Sequence, residues 1–432
     1  MPHSAQRKRQ PAHWLLLALL IAATSACNRD SKSGDSSDRG HDHDHDHGEQ
    51  IASLGRLVIS EAGLARVHVF DLDSSQPVAT FDSQYPSTAL NTSPDRRYAV
   101  LIQRDNDVVE FLDGGIWRED HGDHLHDYKE APTMLDLALP DRRPTHYEIH
   151  GGQAALFFDG SATPFVPAKI SVLSDASLGD GSELASLNFN VNMHGTAEPR
   201  GDFLLTTYRD PASTSTLPEA VELYRRQGVG YSFVERFSET CPDLHGSYSN
   251  HRFTLFGCSD GVLAVEQDGS NFSARKLPNP SSMPAATRVG TLVGHENLDT
   301  FIGIAGQALF VIDPASGSLT PLDWTNGASV TRIAHGIDAS GEHFLILDSA
   351  GLLKIFNTGD WTLAGSVQVI DQFQTGNNPA LAVSQADSVA YLTDPAENAV
   401  QVVDLEALSV SPLALDFIPS KLTWIGKVNA PE

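Results

Sequence analysis

His121, His124 and His126, interleaved with Asp120, Asp123 and Asp127, place three imidazoles and three carboxylates within eight residues. That is the donor set of a zinc site. Zn2+ takes three imidazoles plus a carboxylate or a water, tetrahedrally, at about 2.0–2.2 Å. The spacing does not suit one helical face, because residues three apart are helical neighbours and residues five apart are not. On an extended strand His124 and His126 share a face, and Gly122 can turn the chain to bring His121 round. The pattern predicts a loop or hairpin wrapped on an ion. His121, His124 and His126 are the expected ligands; Asp120, Asp123 and Asp127 could each ligate or orient the rings, with Asp123 the choice for the fourth ligand. The alternative is a solvated polar loop, against which three histidines in six positions argue. Copper or nickel would bind the same rings more tightly on intrinsic affinity, so donor type alone does not fix the metal.

Two further histidine sets stand out. His41, His43, His45 and His47 alternate with aspartates in a stretch without a core. In an extended chain the imidazoles face one way and the carboxylates the other. Such a run grips a cation in many equivalent registers, and its lack of preorganisation makes each complex weaker. It reads as an accessory metal site for capture or transfer, or else as a low-complexity spacer. The third set, His150, His194, His245, His295 and His335, recurs at intervals of 44, 51, 50 and 40 residues. In a propeller these residues would ring one mouth of the channel and could bind a metal or an anion, or cradle the loop. The structural reading, a His-Gly turn bonded to the next repeat, is the expected one, since repeats copy structural residues.

Catalysis finds little support. There is no Gly-x-Ser-x-Gly elbow and no phosphate-cradling glycine loop. A zinc hydrolase would need a general base, for which Glu119 or Glu130 would be the choice. The chain is therefore read as a binder and not as an enzyme.

The elements that must position these groups are strands. Arg66–Leu72 alternates, Asp73–Pro77 is a polar turn, and Val78–Phe81 resumes the strand. The same phrase restarts near residues 93, 150, 194, 245, 295, 335 and 379. A period in the forties with four short strands per unit predicts an all-β fold, a β-propeller. Seven starts leave two pieces over. Leu57–Phe81 supplies outer strands and Phe417–Ile425 inner strands, so the two chain ends together close an eighth blade. Seven blades is the alternative. One domain over 51–432 is expected, interrupted by an insertion near 113–132 that carries the opening motif.

The first 27 residues read as an export signal. Arg7, Lys8 and Arg9 precede the apolar run Trp14–Ala23, and Thr24-Ser25-Ala26-Cys27 resembles a lipobox with Thr24 out of pattern. Either Cys27 is lipidated or cleavage falls near Ala26. Both outcomes place the mature protein in the periplasm, lipid-anchored or free. Residues 28–50 are expected to be a disordered His/Asp-rich tether. Cys241 and Cys258, 17 residues apart, form the expected disulfide of an exported protein, with a catalytic thiol or zinc ligation as the alternatives. The balance of 29 Lys+Arg against 55 Asp+Glu gives a net charge of −26, which repels nucleic acid. A monomer is expected.

The signal, the His-Asp tail, His121-Gly-Asp-His124-Leu-His126 and the repeats, in this order, resemble the periplasmic zinc metallochaperones of the AztD type. That resemblance covers nearly the whole chain. It implies a β-propeller with a high-affinity zinc site supplied by the loop histidines and a tail able to bind a second zinc. It also implies direct handover to the solute-binding protein of a zinc ABC importer. Two other functions remain beside it: a zinc store or sensor without a specific receiver, and a metal-dependent propeller hydrolase.

Overall fold

The repeated strand-and-turn phrase folds into eight four-stranded antiparallel sheets. The structure is a computed structural model and describes residues 51–122 and 124–428. The export signal, Cys27, the His41–His47 run and Asp123 lie outside the described residues. The blade that closes the ring joins both chain ends, as expected. Its innermost strand is Pro419–Ile425, followed outward by Arg56–Glu61, Arg66–Asp71 and Gln76–Asp82. The other seven blades begin at inner strands Ala89–Thr92, Pro144–His150, Ala197–Arg200, Ser247–Ser249, Thr291–Val293, Arg332–Ile337 and Leu381–Val383. The fold is thus an eight-bladed β-propeller. Its only described α-helix is the five-residue Asp175–Gly179.

Burial follows strand position. Second strands such as Tyr98–Gln103 and Phe253–Cys258 are buried at every residue, because blades cover both of their faces. Outer strands such as Gln76–Asp82 remain largely exposed. The apolar clusters lie between neighbouring blades. Tyr98, Phe111, Leu156 and Leu173 join the second blade to the third. Leu57, Tyr391, Val400 and Trp424 join the closing blade to the eighth.

Two local devices bear on the histidines. Ile116–Asp120 and Leu125–Lys129 pair as a separate hairpin between the third and fourth strands of the second blade. Buried Arg56 ties its base by donating to the carbonyls of Gly114 and Glu130. Cys241 and Cys258 form a disulfide, and both are fully buried. It pins the segment that delivers His245, together with bonds from Cys241 N to Glu219 O at 2.7 Å and Leu244 N to Pro218 O at 3.0 Å. Replacing both cysteines by alanine is expected to lower stability by about 3 kcal/mol on the chain-entropy scale. Urea unfolding without reductant checks this, and an unchanged midpoint would show that the bond restrains nothing.

Candidate metal centre

Three consecutive blades send one imidazole each to the same end of the channel. His146 lies near the start of the third blade's inner strand, and His194 and His245 just before the inner strands of the fourth and fifth. The glycine after each of the latter two has a packing reason. A Cβ on Gly195 would fall 2.4 Å from Thr207 Oγ1 and 2.5 Å from Phe157 Cζ. Gly246 adopts φ +71, and a Cβ there would fall 2.7 Å from Gly290 O. The His-Gly pairs therefore let the backbone press against its neighbours while the ring projects into the channel.

The Nε2 atoms of the three rings converge. His194 Nε2 is 3.4 Å from His146 Nε2 and 3.0 Å from His245 Nε2. Among the described residues, these three form the set of metal-ligating side chains whose donor atoms all lie within 4.8 Å of one another. Tetrahedral ligands about 2.05 Å from zinc sit roughly 3.3 Å apart, close to these two spacings.

The outer nitrogens decide what those Nε2 atoms present. His245 Nδ1 lies 2.7 Å from Gly290 O, which can only accept, so Nδ1 carries the proton. His194 Nδ1 lies 3.0 Å from the Asp159 carboxylate and is protonated for the same reason. In the neutral rings both facing Nε2 atoms then bear lone pairs, which repel at 3.0 Å. A cation between them turns that repulsion into ligation. Carbonyl and carboxylate partners on the outer nitrogen are the usual supports of metal-binding histidines. Burial pushes the His146 ring down to about 3 and lowers His245 as well, so protons compete weakly for these lone pairs.

Behind the triad, Glu148 Oε1 lies 4.0 Å from His146 Nδ1. Burial, with Glu198 alongside, raises the Glu148 carboxyl well above its ordinary range. Burial likewise pushes Glu198 up to about 7. These groups give the metal-free protein a two-stage acid response. Burial pushes His150 and His335 down to about 4, and His146 to about 3, from 6.5. Depressed histidines contribute stability that is present above pH 6.5 and lost as pH falls toward these values. Raised carboxyls contribute stability that is present below pH 4.5 and lost as pH rises toward 7. The two oppose each other between pH 4.5 and 6.5 and leave the histidine loss alone below 4.5. Urea unfolding across pH should therefore show a shallow slope and then a steep fall. A continuous shallow slope would mean the rings are not held neutral.

The hairpin histidines lie at the other end of the channel. Pro94 lines both the groove beside the hairpin and the cavity at that mouth. His121 N donates to His124 O at 3.0 Å and closes the turn, with Gly122 at φ +88. The ring centroids of His124 and His126 lie 5.2 and 6.0 Å from that of His121, and Glu119 Oε2 lies 3.6 Å from His121 Nε2. His126 stacks on Tyr128, Tyr128 on Trp117, and Trp117 under the Arg97 guanidinium. The hairpin brings its histidines near one another at a solvated tip but leaves their donor atoms less converged than the channel triad.

The five repeat histidines do not form one ring. His194 and His245 join the triad, whereas His150, His295 and His335 line the cavity at the opposite mouth. The expectation of equivalent positions fails because the inner strands differ in length and start. His150 ends its strand at a Gly151-Gly152 turn with open space around both glycines. Gly195 and Gly246 are packed against neighbouring backbone or side chains. Sequence reading passed over His146 and Asp159. His146-x-Glu148-x-His150 does have the period of one strand face, which is the signal that could have found His146.

An eight-bladed propeller with imidazoles from three adjacent blades converging at one channel end is, as a class, a propeller whose donor set fits a transition metal. Within that class, the resemblance read from the sequence is borne out. The chain is similar to the zinc chaperone AztD of Citrobacter koseri, with 25% identity over 378 residues, 86% of each chain. The crystal structure of Citrobacter koseri AztD superposes with a TM-score of 0.73 at 25% identity, over 87% of this chain and 99% of that one. Apo AztD from the same organism gives 0.73 at 24% identity with the same coverage. The dihydro-heme d1 dehydrogenase NirN shares the fold alone, with a TM-score of 0.57 and 14% identity, over 88% of this chain and 77% of that one. No family model matches the chain. Among the described residues no helix is long and apolar enough to cross a membrane.

Proposed function

We propose that this protein is an extracytoplasmic zinc metallochaperone that carries zinc as cargo on His146, His194 and His245. The observation that carries this reading is the convergence of three Nε2 lone pairs at zinc-ligand spacing, with Asp159 and Gly290 fixing the outer nitrogens. Similarity to the zinc chaperone AztD across the propeller supports it. Three protein ligands leave a fourth tetrahedral position for an incoming ligand. Transfer then proceeds by exchange, with a receiver histidine entering as a triad ring leaves, and no naked ion forms. The receiver in this reading is the solute-binding protein of a zinc ABC importer. His121, His124 and His126, which Asp123 would complete, form an accessory station on the hairpin, and His41–His47 a second one on the tail. The protein acts as a monomeric carrier and not as an enzyme. Export by the N-terminal signal places it in the periplasm, tethered if Cys27 is lipidated.

The test mixes zinc-loaded protein with apo receiver and follows the zinc with and without excess chelator. Transfer to the receiver faster than passive release to the chelator supports a chaperone. Equal rates would make the protein a store without a specific receiver.

A further inference from the structure

The channel mouth opposite the triad is chemically its inverse. It opens into a cavity of about 630 Å³ lined by Arg96, Tyr147, His150, His335 and Tyr248, among others. That volume falls within the ~300–1,000 Å³ of small-molecule sites. We propose that this cavity binds a small oxyanion, a carboxylate or a phosphate, through Arg96, Tyr147 and His335.

Arg96 is the centre of the case. Many of the described arginines are paired with carboxylates, as in Arg97–Asp113, Arg118–Asp127 and Arg236–Glu222. Among the described residues the half-buried Arg96 guanidinium makes no hydrogen bond or ion pair. Its backbone is held on both sides, with N donating to Ser93 O and O accepting from Gly426 N. The side chain is therefore presented from a fixed point. A guanidinium has five N–H donors and no acceptor, so one presented to a cavity without a protein partner leaves its donors free for an anion.

The neighbouring groups are also set as donors. The Tyr147 hydroxyl is buried and has no hydrogen-bond partner. His335 Nδ1 accepts from Arg332 Nη1 at 3.0 Å, which places the ring proton on Nε2. His150 Nε2 faces both Arg200 Nη1 at 3.2 Å and Glu296 Oε2 at 3.4 Å, so the case rests on His335 and not on this ring. At the triad, carbonyl and carboxylate partners leave the rings as acceptors. Here an arginine partner leaves His335 as a donor. One residue type thus serves a cation at one end and an anion at the other, and the tautomer is chosen in each case by the residue behind the ring. Two carboxyls share the lining but sit at its margins. Glu296 is 55% exposed at the rim, and Glu148 lies at the inner end beside His146. With a net charge of −26, diffuse attraction cannot hold an anion on this protein, so binding there would report a built site.

The experiment is calorimetric titration of the zinc-free full-length protein with inorganic phosphate and, separately, with citrate, at constant ionic strength. Saturable one-site binding of either is expected in the millimolar range or tighter, and the arm that binds identifies the source. Arg96→Gln should weaken binding by about tenfold or more, the scale of a charged hydrogen bond. Tyr147→Phe, which keeps the ring packing, should weaken it by about threefold. His194→Ala should leave it unchanged, which separates this site from the zinc reading. Absence of saturable binding in both arms, or wild-type binding by both cavity variants, overturns the proposal.

Discussion

Replacing His194 by alanine is expected to lower zinc affinity by about two orders of magnitude. His194 is the middle ring of the triad and the one within 3.4 Å of both others. Protein zinc sites with four ligands bind with roughly 10–16 kcal/mol, or about 3 kcal/mol per ligand. That corresponds to about a hundredfold change in affinity. The metal-free variant should unfold at a lower midpoint, by about 1–3 kcal/mol. The Nε2 contacts of the removed ring oppose one another without an ion, but its Nδ1 hydrogen bond to the buried Asp159 carboxylate is lost with it. Chelator competition gives the affinity and urea unfolding the stability. His121→Ala/His124→Ala/His126→Ala, measured in parallel, should keep the tight site and lose only a weaker one. If the hairpin variant loses the tight site and His194→Ala keeps it, the cargo lies on the hairpin.

Replacing Asp127 by alanine should be the most damaging single change near the hairpin, at about 3 kcal/mol. Asp127 is 2% exposed and serves three groups at once. Arg118 grips it through both oxygens at 2.6 and 3.2 Å, Ile51 N donates to Oδ2 at 2.8 Å, and Lys427 pairs with the same oxygen. Burial opposes its charge, but these donors prevail and bring the carboxyl down to about 2. Alanine leaves the buried Lys427 ammonium and the Arg118 guanidinium without their anion, which costs more than the pair contributes. The expected readout is a lower unfolding midpoint together with faster amide exchange in Ile116–Lys129. Asp127→Asn, which keeps the shape and some acceptance, should lose less. A wild-type midpoint in both variants would mean that the hairpin is held by its aromatic stack alone.

Asp127 also shows how far the sequence can be read. Its place beside His126 and two other aspartates makes it look like part of a metal motif. In the folded chain it faces inward and anchors the hairpin, while His126 on the adjacent position faces the other way onto Tyr128. Alternation along a strand separates the two roles. Which side is inward depends on the partner strands and on Lys427, 300 residues away.

The repeat phrase, the spacing in the forties and the unmatched strands at each chain end were enough to determine an eight-bladed all-β propeller closed by both termini. These signals are local: strand period, turn residues and their recurrence. The pair Cys241 and Cys258 likewise pointed to the disulfide, because two cysteines beyond Cys27 in a chain read as exported are expected to bond to each other. Tertiary structure alone decided which histidines meet. His146, His194 and His245 are 48 and 51 residues apart along the chain and converge only because adjacent blades place their inner strands side by side. Tertiary structure also decided the tautomers, since Gly290, Asp159 and Arg332 sit behind the rings from other strands or blades or, for Arg332, from three residues away. Dense local histidine runs advertise themselves in sequence. A preorganised site drawn from three blades does not, because its ligands are ordered by packing and not by spacing.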